Sequence, residues 1–140
     1  MITQIKTMAA LLKSSLPLLI SGYIAFFFTI LIILLMPNYW CTVLIVSVLI
    51  MLLHQYIFIR LYFDFNLLQH IPEEANQLPQ FTQELDQTLT TLKLLSSDKQ
   101  NRDWTLRLKG CLRLFKIQIM LNMIQYVLLI LSVCTYKNTI

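Results

Sequence analysis

Residues 14–59 run for 46 positions without an Asp, Glu, Lys or Arg. One membrane crossing needs about 20 apolar residues, so the run accommodates two. Its interior break is "MPNYW". Pro37 and Asn38 there supply turn chemistry, and Tyr39 and Trp40 are aromatics that favour the boundary between membrane and water. The expected crossings are residues 18–36 and 41–59, joined by a short external turn at 37–40. A further charge-free run, 117–136, lies between Lys116 and Lys137 and forms the third crossing. With 57% hydrophobic and only 13% charged residues, the composition excludes an ordinary soluble domain. The fold class expected is an all-α integral membrane protein, with three transmembrane helices and a helical cytoplasmic hairpin extending from helices two and three.

The first crossing follows a short segment bearing Lys6 and Lys13, as a signal peptide would. Its apolar core is nevertheless longer than the roughly 7 to 15 residues of a cleavable h-region, and "PNYWC" offers no small-residue cleavage pattern. A retained helix is expected. Of eleven Lys and Arg residues, two fall in 1–17, eight in 60–116 and one at Lys137. The positive-inside rule therefore makes 1–17 a cytoplasmic tail, 60–116 a cytoplasmic segment and 137–140 an external tail. The location expected is a bacterial inner membrane. Bases flanking membrane helices account for the pI near 9.1, so no nucleic-acid partner is expected.

Within 60–116, "RLYFDFNLLQH" continues the second helix until Pro72, since the residue before a proline is pushed out of helical geometry. A second helix is expected over 79–95, where Phe81, Leu85, Leu89 and Leu92 form a stripe. The loop "SSDKQNRD" follows, and Asp98 or Asp103 is placed to cap the last helix. That helix starts before the membrane: Leu108, Leu112, Phe115 and Ile119 share one face, Lys109, Arg113 and Lys116 another, with Trp104 expected near the membrane surface. Residues 61–98 hold six acids against one base, and 99–116 six bases against one acid. The two halves can complement each other or form a docking surface for a partner. Arg107, Lys109, Arg113 and Lys116 are the candidate contacts for anionic lipid headgroups or that partner, an attraction of about 1 kcal/mol per base at a lipid surface.

Each crossing also carries a face that lipid would not choose. Gln118, Asn122 and Gln125 are spaced by four and three, so they line one side of the third helix. In the second, Ser47 and His54 are seven apart and share a face. In the first, Ser21, Ala25 and Thr29, with Gly22 beside them, form a small-residue packing face that allows close backbone approach. An unpartnered amide in hydrocarbon costs several kcal/mol, so these faces are expected to converge and hydrogen-bond, within the chain or with another subunit. The alternative is a water-filled path or ligand site, with His54 as its titratable member.

Chemistry-bearing motifs are missing from the sequence. It has no H-E-x-x-H and no G-x-S-x-G, and Gly22 and Gly110 are its two glycines, too few for a phosphate-cradling loop. His70, Glu73 and Glu74 come nearest to a metal or acid-base cluster but are interrupted by Pro72. Cys41, Cys111 and Cys134 form no C-x-x-C, although Cys41 and Cys134 fall near the same boundary, where a disulfide is conceivable. No enzyme activity, metal or cofactor is expected. The function expected is that of a small non-catalytic integral membrane subunit. It would associate with a larger membrane protein complex, or with itself, as an accessory, assembly or regulatory component. The alternative is a homo-oligomeric channel or permease lined by the polar faces.

Overall fold

The computed structural model describes residues 2–35, 41–72, 77–91 and 103–139, with residues 41 and 136–139 described by their backbone alone. Those residues form five helices: α1 (Ile2–Lys13), α2 (Ser15–Leu34), α3 (Cys41–Gln69), α4 (Leu78–Thr91) and α5 (Trp104–Thr139). No strand occurs among them. Three stretches are long and apolar enough to span a membrane, Ile2–Leu34, Thr42–Gln69 and Trp104–Thr135, so the fold is the expected all-α one. The 37–40 turn, Glu73, Glu74, Leu92, Asp98 and Lys137 lie outside the residues whose side chains are described.

Residues 2–13, expected as a tail, are helical and packed. Ile5 and Leu12, seven apart on one face of α1, are each only 1% exposed and join the core formed by Ile57, Leu61, Leu68, Leu108 and Phe115. Helix α1 breaks from α2 at Ser14, whose hydroxyl and backbone N–H both donate to the Leu11 carbonyl. Pro17 stands three residues beyond the break. In the first turn of a helix its missing N–H leaves no intrahelical bond unmade, so the proline is tolerated as part of a new helix start.

Side-chain contacts set the register of the bundle. Helices α2 and α5 run parallel, with Ser15 bonded to Gln118 and Ser21 to Asn122. Helix α3 is antiparallel to α5, with Ser47 bonded to Gln125 and Asp64 to Cys111. By these registers Lys13, Arg60, Arg113 and Lys116, all exposed, fall within about one turn of a common level. Past that level α1, α3 and α5 continue together and α4 joins them. Helix α5 is continuous through Gly110 and, at 36 residues, is about 54 Å long at 1.5 Å per residue.

Helix α4 joins the core through Leu78, with Phe81 and Leu85 packed against it, and polar contacts tie it to α5. Asp86, 3% exposed, accepts two hydrogen bonds from Arg107 Nη2 at 2.6 and 2.7 Å. Trp104 Nε1 donates to Thr82 Oγ1 at 2.9 Å, and the Arg107 guanidinium lies 5.3 Å from the Trp104 ring centre. Arg107, grouped by sequence with the headgroup-facing bases, is thus engaged with α4. Trp104 is likewise buried in this joint, at 7% exposure. Asp103 opens α5 through its carbonyl, which accepts from the N–H groups of Leu106 and Arg107, and its carboxylate accepts from Thr105.

Candidate functional site

The polar faces of the three long helices meet inside the bundle. Gln118 and Ser47 are 0% exposed, His54 and Gln125 2%, and Asn122 6%. From α2, Gly22, Ala25 and Thr29 are buried on the face that meets them and Ser21 is half-buried.

The bonds run from α5 to both neighbours. Gln118 Nε2 donates to the Ser15 carbonyl at 2.9 Å, using the second lone pair that a helical carbonyl retains. Asn122 Nδ2 donates to Ser21 Oγ at 3.1 Å, and Ser21 Oγ lies 3.0 Å from the Tyr126 hydroxyl. One to two turns further along, Gln125 Nε2 donates to Ser47 Oγ at 2.7 Å. The chain therefore folds its amide stripe inward as a seam joining α2, α5 and α3.

His54 lies between the levels of Gln118 and Asn122 by the α3–α5 register, and its imidazole sits against the α2 backbone at Gly22. A Cβ built on Gly22 would come within 2.8 Å of His54 Cε1 and Nδ1, and 3.5 Å of Asn122 Oδ1. Glycine is required there by space rather than by backbone angle. Thr29 and Ser132 satisfy their hydroxyls locally, donating to the carbonyls four residues earlier at Ala25 and Leu128.

Among the described residues, three buried atoms in the seam have no hydrogen-bond partner: His54 Nε2, Gln118 Oε1 and Gln125 Oε1. Unpaired buried polar atoms cost about 1–3 kcal/mol each, so the seam is not fully compensated by its own side chains. It can tie helices together and offer donors and acceptors to a small polar guest. Its hydroxyls, those of Ser21, Ser47 and Thr29, are engaged in hydrogen bonds, and among the described residues no Asp or Glu belongs to it.

The remaining candidates lie elsewhere. Lys109, Arg113 and Lys116 are exposed on α5. His70 Nδ1 is 2.7 Å from the Asn66 carbonyl. Cys134 is an exposed free thiol and Cys111 a buried one whose sulfur lies 3.5 Å from Asp64 Oδ2; the Cys41 side chain is outside the described residues. Ser15, Tyr126 and the Tyr23–Gln55 pair are additions that residue spacing did not single out. Ser15 takes part through its backbone, which no side-chain pattern reveals. Gln55, an amide within the second crossing, was legible as an isolated polar residue.

The arrangement defines an all-α bundle with three helices long and apolar enough to cross a membrane, and with polar groups buried among them. No protein-family model, curated protein or solved structure matches the chain.

Proposed function

We propose that this chain is a small, non-catalytic integral membrane subunit that associates with a larger membrane protein complex as an accessory, assembly or regulatory component. Its setting is a bacterial inner membrane, with α1, α4 and the adjoining ends of α3 and α5 on the cytoplasmic side. Lys13, Arg60, Arg113 and Lys116 then mark the cytoplasmic headgroup plane, with Lys109 beyond it. This assignment rests on ten of the eleven bases falling on one side. The observation that carries the functional reading is that the three amides of α5 bond to Ser15, Ser21 and Ser47 on the neighbouring spans, which ties the polar faces of the helices together. What remains exposed is an apolar flank, a level of cations and a helical extension bearing α4, which are surfaces for binding.

The experiment is a gentle detergent purification from the native membrane at endogenous abundance, followed by native mass measurement and identification of bound proteins. A stoichiometric complex with a larger membrane protein is the expected result. A chain that purifies alone from its own membrane would overturn the reading.

A second reading, a channel or permease, draws on the three unpaired polar atoms of the seam. Because Gln118, Asn122, Gln125 and His54 face the interior of a single chain, a path in this version runs within the bundle rather than through a lumen shared by several copies. Its test is ion flux from purified protein in liposomes that Asn122→Leu or Gln125→Leu alters.

A further inference from the structure

The turn of α3 that sends His54 into the bundle sends the next residue, Gln55, out of it. Gln55 is exposed. Its Oε1 accepts a long hydrogen bond from the Tyr23 hydroxyl at 3.3 Å. Its amide nitrogen, which carries two hydrogens to donate, has no partner among the described residues. Gln55 is also the centre of a stripe, Val48, Leu52, Gln55, Ile59 and Tyr62, with spacings of four, three, four and three. The four apolar members are 37%, 59%, 61% and 53% exposed. A 3.5-residue repeat is the seam along which two helices pack in a left-handed pair, in lipid as in water.

Resting on the membrane-spanning reading and its cation level, but not on the identity of any partner, the depth of Gln55 follows from Arg60. Five residues separate them, so Gln55 stands about 7.5 Å into the apolar side. Side chains on a helix tilt toward its N-terminus, and the N-terminus of α3 is the end far from Arg60. The amide therefore leans toward the middle of the bilayer, where an unmade donor is costly.

We propose that a second copy of this chain covers this stripe, α3 against α3 about a two-fold axis along the membrane normal, with the two Gln55 amides paired. A primary amide is self-complementary. After Tyr23 has taken one lone pair of Oε1 another remains, so each Gln55 can donate to and accept from its symmetry mate. A single polar residue within an apolar seam is also the device that fixes register and partner in helix pairs.

The test uses the full chain in phosphatidylcholine and phosphatidylglycerol vesicles, with energy transfer between donor- and acceptor-tagged copies followed as protein is diluted in lipid. The wild type should show saturable transfer that fits a dimer. Gln55→Leu should weaken association roughly tenfold, about 1.4 kcal/mol for two reciprocal bonds, with its helical circular dichroism unchanged because the site is exposed. Tyr23→Phe, which leaves the amide intact, should keep the dimer. A monomer throughout the dilution, or a dimer indifferent to Gln55→Leu, overturns the proposal. So does Gln55→Leu releasing a different co-purified protein while the pure chain stays monomeric, although the accessory-subunit reading then stands. A Gln55-dependent dimer with no other protein bound in the native membrane does the reverse: the paired amides stand and the accessory-subunit reading falls.

Discussion

Replacing Gly22 with alanine adds one methyl group at the tightest point in the bundle. The new Cβ would meet His54 Cε1 and Nδ1 at 2.8 Å, a separation that requires something to move. The imidazole is 2% exposed, and Asn122 Oδ1 already stands 3.5 Å from the same point, so the ring cannot turn aside without disturbing the seam. Overpacking of this kind costs about 1–3 kcal/mol, partly offset by the roughly 1 kcal/mol by which alanine outranks glycine inside a helix. A net loss of up to about 2 kcal/mol is expected, measured by reversible detergent unfolding in bicelles. Two controls isolate the cause. Gly110→Ala meets nothing within 4 Å and should gain about 0.4–1 kcal/mol. In a His54→Ala background the clash partner is gone, so Gly22→Ala should become neutral or stabilising. The reasoning is refuted if Gly22→Ala stabilises the wild-type chain as much as Gly110→Ala does, or if its penalty survives the removal of the imidazole.

Other substitutions test other joints. Ser47→Ala strands the Gln125 amide nitrogen beside an Oε1 that is already unpaired and should cost about 1–3 kcal/mol; adding Gln125→Leu should recover much of this, as a double-mutant cycle would reveal. Arg107→Ala removes the two hydrogen bonds that the buried Asp86 carboxylate accepts from Nη2, a loss of about 1–3 kcal/mol that should appear as protease sensitivity across α4 while the long helices stay intact. In intact cells of a Cys41→Ser variant, Cys134 should react with a membrane-impermeant thiol reagent and the buried Cys111 should not; labelling of Cys134 only after lysis would reverse the proposed orientation.

The long helices were legible because charge-free runs and their flanking bases are coarse signals that tertiary contacts cannot override. The seam was legible in part: Gln118, Asn122 and Gln125 have to share a helical face, and so do Ser47 and His54. Which residue meets which was not, since pairing depends on the vertical register of helices separated by long connections. Helix α1 was expected as a tail although Ile5, Met8, Ala9 and Leu12 repeat at helical spacing and pack on the core, because a short segment with two lysines beside a crossing also fits a cytoplasmic tail. Arg107 and Lys109 look equivalent in sequence. Only packing shows that Arg107 points to Asp86, one of the acids in the oppositely charged half.

The seam also orders events during synthesis. Every interior hydrogen bond between the long helices described above, from Ser15, Ser21 and Ser47, reaches a residue of α5. A nascent chain that has delivered α2 and α3 but not yet α5 therefore holds a hairpin in which Ser15, Ser21 and Ser47 lack their α5 partners. Those groups stay without their α5 partners while the next several dozen residues are made. A chain cut short before Trp104 would keep two apolar helices yet lose every partner of the interior hydrogen bonds of Ser15, Ser21 and Ser47.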